Sequence, residues 1–193
     1  MPPLLKRFMT SYNHIRLINQ VAFYSLDKGV PGMSELYFDE SVILLNVEGD
    51  SKEEILTQMG QNLADKNLVK ESFIHAIITR ESEFATGLPT GDVSVAIPHT
   101  DVEHVIQKTI SVGVLKNTVH FGVMGDENET TPVKIVFLLA MDETHSQLSL
   151  LQKLMQVFQD QHTLHRLTNA ADETEIRHVM EDKLDMAALK GGE

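Results

Sequence analysis

The sequence predicts an α/β fold, a sandwich around a mixed sheet with helices on both faces. Apolar runs of strand length alternate along the chain with segments whose apolar residues recur at helical spacing. Lys134 to Met141 is nearly all apolar, which is typical of a strand buried on both faces. The 193 residues suffice for one domain with a substantial core, and 42% apolar with 23% charged residues is typical of a soluble globular protein.

Four segments have helical periodicity. Ser51 to Glu54 has the form of a capping box and opens the first helix. The second is predicted from about Lys70 to Glu81, and the last covers about 172–183. Thr144 to Gln159 is the clearest, because its apolar residues form one broad stripe.

Strands are predicted between the helices. Besides 134–141, they cover Ser41 to Val47, Val93 to Ile97 and a segment near Thr109 to Leu115. Two connections are predicted as loops: Thr86 to Asp92, which is rich in Gly, Pro and Thr, and the polar stretch from Met124 to Thr131.

Composition excludes several classes of function. The formal net charge of −12 disfavours a nucleic-acid partner, which would require a basic stripe. The absence of cysteine excludes disulfides and a thiol nucleophile. No apolar run is long enough to span a bilayer, and Met1 to Leu17 lacks the apolar core and cleavage site of a signal peptide. We therefore expect a cytoplasmic protein.

Residues 1–36 are basic, unlike the acidic remainder, and contain a turn signal directly before Met33. They are predicted to be an N-terminal extension, either sequence upstream of a true start at Met33 or a short helix, Tyr12 to Leu26, docked on the domain. The domain itself is predicted at 37–185, with a tail at 186–193.

His99 is the first candidate for chemistry. It follows the apolar run from Val95 to Ile97 and a proline, so its side chain should emerge where a buried strand ends, the usual place for ligands in α/β sheets. A neutral imidazole is a good nucleophile near pH 7. The alternatives are a histidine that merely ends a strand and a metal site shared with His104, for which no recognised zinc spacing exists.

His145 is the second candidate. Thr144 and Gln147 match the N-cap and N3 positions of a capping box, which makes His145 the first helical residue. Unpaired N–H groups and the helix dipole attract anions there and should keep the imidazole neutral. The alternative is an ordinary polar residue in a first turn.

Arg80, near the end of the second predicted helix, is the third candidate. A guanidinium can hold phosphate oxygens through two parallel hydrogen bonds. Arg80 is either such a group, if the following loop brings it toward His99, or a solvated surface residue.

The ordered series Arg80-Glu81, Thr86-Gly87, Val95 to His99 and then His145 resembles the type-2 (fructose–mannitol) enzyme IIA domains of the phosphoenolpyruvate-dependent sugar phosphotransferase system. The resemblance covers about residues 38–185 and implies that family's fold. It further implies that the phosphocarrier HPr phosphorylates His99, with Nε2 as the acceptor. The phosphate then passes to a cysteine of a IIB protein that serves a membrane IIC component. His145 would support the phosphorylated imidazole and Arg80 would help to receive the phosphate, and neither cofactor nor metal is implied.

The segment from Ser82 to Asp92 departs from the commonest family pattern, because it is longer and lacks the short Gly-Asn-Gly turn. Its Thr-Gly-Leu-Pro-Thr form resembles the galactitol branch, so galactitol or a related polyol is the expected sugar. The extra residues could also re-aim Arg80. With neither a cysteine nor a membrane span in the sequence, a stand-alone IIA is expected. Two alternatives remain: a nitrogen-type regulatory IIA, and an interaction domain without phosphate chemistry, which the presence of both histidines disfavours.

Overall fold

The computed structural model describes residues 36–141 and 144–184, with the backbone alone for 144–149. The predicted tail and all of the predicted extension except residue 36 lie outside this part. The described part contains five strands and five α-helices, which confirms the α/β prediction. In chain order they are β1 (Ile43–Val47), α1 (Lys52–Asp65), α2 (Ser72–Glu83), β2 (Gly87–Leu88), β3 (Ser94–Ala96), β4 (Thr109–Val123), β5 (Asp126–Ala140), α3 (Thr144–Gln159), α4 (Gln161–Thr168) and α5 (Glu173–Leu184).

The three helices predicted with both bounds are confirmed to within two residues at each end, and the first helix begins at the predicted capping box. The Ser51 side chain accepts a hydrogen bond from the Glu54 N–H, as a capping box requires. The Glu54 carboxylate, however, accepts from the Asp50 N–H, one residue before the cap. α3 has the predicted bounds, so Thr144 is its first helical residue where it was predicted to be the cap.

The sheet is mixed. β4 pairs in parallel with β1 and antiparallel with β5, while β3 pairs in parallel with β5 and antiparallel with β2. Gly87 of β2 also pairs with the far end of β4.

The predicted polar loop at 124–131 is wrong. β4 and β5 form one long hairpin that turns at Met124 and Gly125, and Gly125 adopts a φ of 78°. Residues 127–130 are exposed strand residues, which explains their polarity.

Helices cover both faces of the sheet. On one face, the Phe137 ring lies 4.9 Å from the Phe158 ring of α3. On the other face, Gly113 lies beneath Met59 of α1, where a Cβ would lie 2.7 Å from the methionine sulfur. Both faces of β5 are therefore buried along residues 135–140, as the apolar sequence of this half of the strand predicts. Within the described residues, no helix is both long and apolar enough to cross a membrane.

Two elements were not predicted. β2 lies inside the predicted Gly/Pro/Thr loop. α4 follows α3 after one residue, Asp160, whose carboxylate caps it by accepting from the Thr163 N–H at 3.1 Å.

Candidate functional site

His99 lies just beyond the end of β3, where the sequence places it. Val95 and Ala96 are fully buried in the sheet, and His99 forms a parallel bridge with Leu139 of β5. The Leu139 N–H donates to the Pro98 carbonyl at 2.9 Å, which anchors the backbone one residue before the imidazole. The residue is itself exposed, so a buried strand presents its side chain at the surface.

A hydrogen bond determines the tautomer of the His99 ring. Nδ1 lies 3.0 Å from the Ile97 carbonyl oxygen. Because a carbonyl oxygen can only accept, Nδ1 must carry the proton and donate it. In the neutral ring, Nε2 is then unprotonated and holds a free lone pair.

The protein lowers the pKa of His99 from its ordinary 6.5. The largest cause is desolvation: although the residue is exposed, protein atoms packed around it displace part of the water that would solvate an imidazolium. The bond to Ile97 opposes this effect, the Arg80 charge adds to it and the Asp101 charge opposes it. The ring is therefore neutral at pH 7.

Arg80 lies in the last turn of α2, half-buried, with its guanidinium carbon 4.3 Å from the centre of the Phe84 ring. Its charge acts on the His99 imidazole, so the structure brings these two candidates into one electrostatic environment.

Residues 89–92 of the segment from Ser82 to Asp92 lie elsewhere. They belong to the connection between β2 and β3, at the end of β3 opposite to His99, about 16 Å away along the extended chain. Gln161 of α4 donates to the Thr90 carbonyl, and its side-chain oxygen accepts from the Val93 N–H at 3.4 Å. Asp92 lies 3.6 Å from the His165 ring. The loop tip therefore packs on α4.

His145 lies in the first turn of α3, but its side chain is outside the described residues. The backbone gives its placement in the fold. β5 runs parallel to the segment that carries His99, ends at Ala140, and α3 begins four residues later. The first turn of α3 thus follows the strand end that is paired with His99.

Glu81 follows Arg80 in the Arg-Glu motif, and the motif alone predicts no role for it. It is only 2% exposed, and its two carboxylate oxygens accept from the Thr86 N–H at 3.0 Å and from the Thr86 hydroxyl at 2.6 Å. Burial raises the pKa of Glu81 to about 7, although the bonds from Thr86 oppose the rise. Helical spacing would have revealed it, since Phe73, Ile77 and Glu81 share the buried face of α2.

His104 contacts Ser72, with Nδ1 2.9 Å from the hydroxyl oxygen, and lies 3.3 Å from the carboxylate of Glu103. No group of three or more His, Asp or Glu side chains in the described ranges could hold a metal ion.

The chain has relatives of known type. The family described as "Phosphoenolpyruvate-dependent sugar phosphotransferase system, EIIA 2" matches residues 36–183. The galactitol-specific EIIA component of Escherichia coli K12 is 31% identical over 103 residues, which cover 53% of this chain and 68% of that protein. The mannitol-specific enzyme IIA component of Staphylococcus aureus N315 is 30% identical over 154 residues, which cover 78% of this chain and 98% of that protein.

Solved structures show the same fold. The crystal structure of IIA mannitol from Escherichia coli has a TM-score of 0.62 at 21% identity and covers 75% of this chain and 99% of its own. The Escherichia coli IIA mannitol protein in complex with phosphorylated IIB mannitol has a TM-score of 0.61 at 21% identity, covering 78% and 98%. The family match spans nearly all of the described residues, and the chain therefore belongs to the EIIA 2 family of the phosphoenolpyruvate-dependent sugar phosphotransferase system.

Proposed function

We propose that this protein is a phosphoryl carrier that accepts phosphate from phospho-HPr on Nε2 of His99 and passes it to a cysteine of a IIB protein. The observation that carries the proposal is the bond from Nδ1 to the Ile97 carbonyl, which leaves the Nε2 lone pair free. The lowered pKa supports it, because a neutral ring is the nucleophilic form.

Both proposed phosphoryl transfers balance in atoms and electrons without a cofactor. The Nε2 lone pair attacks phosphorus, the bond between phosphorus and the HPr nitrogen breaks, and that nitrogen leaves with the electron pair. In the second step the IIB thiolate attacks, and His99 leaves as the neutral ring with its Nδ1 proton in place. Catalysis then depends on positioning and charge neutralisation, for which Arg80 and the first turn of α3 with His145 are the proposed groups.

Two exposed apolar side chains lie near the candidate residues. Phe84 is stacked on Arg80, and Val102 comes three residues after His99. Exposed apolar side chains beside a reactive group favour a protein donor and acceptor over a small molecule.

Galactitol or a related polyol is the proposed sugar. The IIB protein that receives the phosphate would serve a membrane IIC component. The galactitol-specific relative and the Thr-Gly-Leu-Pro-Thr segment support this choice. A nitrogen-type regulatory IIA would share the first phosphorylation and lack the second transfer.

The test is incubation with phosphoenolpyruvate, enzyme I and HPr, followed by mapping of an acid-labile phosphate. We expect label on His99, loss of label in His99→Gln and full label in the matched control His104→Gln. His145→Gln should still accept phosphate but transfer it poorly. Label retained in His99→Gln would refute the assignment.

Onward transfer is measured with purified galactitol-type and mannitol-type IIB proteins. Transfer to the galactitol-type cysteine supports the sugar proposed here, and faster transfer to the mannitol-type protein contradicts it. Phosphorylated protein that transfers to neither would favour the regulatory role.

A further inference from the structure

We propose that Glu81 is a positioning residue for His99. A continuous chain of hydrogen bonds starts at its buried carboxylate, passes through Thr86 and Ile97, and ends on the imidazole. Through this chain Glu81 holds the ring in the tautomer that leaves Nε2 free. The inference rests on the proposed function of His99 for its catalytic consequence, while its structural consequence can be measured independently.

The first link fixes Thr86. Both of its donors, the backbone N–H and the hydroxyl, contact the Glu81 carboxylate, and both residues are at least 97% buried. Leaving either group unpaired in the interior would cost free energy, so the pair stays together. The bonds survive protonation of the carboxyl group, since a protonated oxygen donates to the Thr86 hydroxyl instead of accepting from it.

The second link fixes Ile97. The Thr86 carbonyl accepts from the Ile97 N–H at 3.3 Å, where β2 and β3 begin to pair. On the other side, the Pro98 carbonyl accepts from Leu139 of β5. The peptide units before and after the Ile97 carbonyl are therefore both held, and proline restricts the backbone between them.

The third link fixes the imidazole. The Ile97 carbonyl receives the Nδ1 proton of His99, so its direction determines which nitrogen is protonated. A neutral imidazole exchanges readily between its two tautomers in water, and only one of them presents a lone pair at Nε2. If Thr86 shifts, the Ile97 carbonyl loses one of its two anchors and the preference for this tautomer weakens.

The test compares Glu81→Ala with Glu81→Gln. Glutamine reproduces both contacts, with its oxygen accepting from the Thr86 N–H and its amide donating to the hydroxyl, whereas alanine makes neither. Thr86→Val removes only the hydroxyl. Glu83→Gln is the matched control, because Glu83 is exposed two residues further along α2.

Two readouts are taken: the ¹⁵N chemical shifts of the His99 ring, which report the tautomer, and the initial rate of phosphorylation by phospho-HPr. We expect Glu81→Ala to mix the tautomers and to slow phosphorylation by about tenfold to a hundredfold, as small misplacements of reacting groups do. Glu81→Gln and Glu83→Gln should keep both readouts near those of the unmodified protein, and Thr86→Val should fall between.

A folded Glu81→Ala protein with an unchanged tautomer and rate would overturn the inference. If that variant does not fold, Thr86→Val decides in the same way. If the unmodified protein is not phosphorylated on His99, the proposed function fails, but the nitrogen shifts still show whether Glu81 controls the tautomer.

Discussion

Replacing Glu81 with glutamine should remove a loss of stability that the protein suffers as the pH rises. The pKa of Glu81 is about 7 in the folded state, against an ordinary value of 4.5. Between these values the folded state binds more protons than the unfolded state, so the free energy of unfolding falls as the pH increases through this window. A salt-bridged carboxylate has the opposite sign.

The two pKa values determine the magnitude. At about 1.4 kcal/mol for each pKa unit, ionising a buried group of this kind costs about 3 kcal/mol, fully developed above the folded-state pKa. Glutamine cannot ionise and keeps both contacts to Thr86. The variant should therefore match the unmodified protein near pH 4.5 and exceed its free energy of unfolding by about 3 kcal/mol at pH 8.

The assay is urea unfolding of both proteins at several values between pH 4.5 and pH 8. Taking the difference between the two proteins at each pH cancels the contributions of all other titrating groups. Glu83→Gln is the control and should give a difference that does not change with pH. Parallel curves for Glu81→Gln and the unmodified protein would refute the reasoning, because Glu81 would then be ionised in the fold without penalty.

Three further predictions follow from single contacts. Arg80→Gln should raise the pKa of His99 and Asp101→Asn should lower it, because the two charges act on the imidazole with opposite sign. Shifts of the same sign for both variants in an NMR titration would contradict this. Gly113→Ala should lower the free energy of unfolding by about 1–3 kcal/mol, and Gly87→Ala should lower it by more. The new Cβ meets a flexible methionine side chain at Gly113 but a backbone carbonyl at Gly87. The reverse order in urea unfolding would exclude this explanation. Gln161→Ala should cost about 1 kcal/mol of stability and leave phosphorylation unchanged, and a matching fall in rate would show that the loop tip reaches the imidazole.

The parts of the fold that follow from local pattern could be predicted from the sequence. α3 was predicted with its observed bounds because its apolar stripe is long and regular. The outer half of the β4–β5 hairpin was missed because residues 127–130 are polar and exposed, and only pairing with a partner strand makes them part of a sheet. β2 was also missed, because two residues are too few to show a periodicity of their own.

The candidate site, like the fold, could be predicted from the sequence only in part. The placement of His99 at a strand end followed from the apolar run and the proline before it. The link from Glu81 to Thr86 could not be located from neighbouring residues alone, because it joins a helix end to the strand that follows the turn. A charged residue on the buried face of α2 was the visible signal, since such a group requires a partner.

The loop between β2 and β3 and the imidazole of His99 lie at opposite ends of the same strand. β2 and β3 pair directly, and the connection between them is free to lengthen at its tip without changing the pairing. The tip is held by Gln161 of α4, whereas the imidazole is held by Ile97 at the other end of the same strand. An insertion at the tip can therefore alter the surface beside α4 while the geometry at Nδ1 and Nε2 stays fixed. Under the proposed function, any effect of this loop on the choice of sugar system would act through docking of a partner protein rather than through Nε2 of His99.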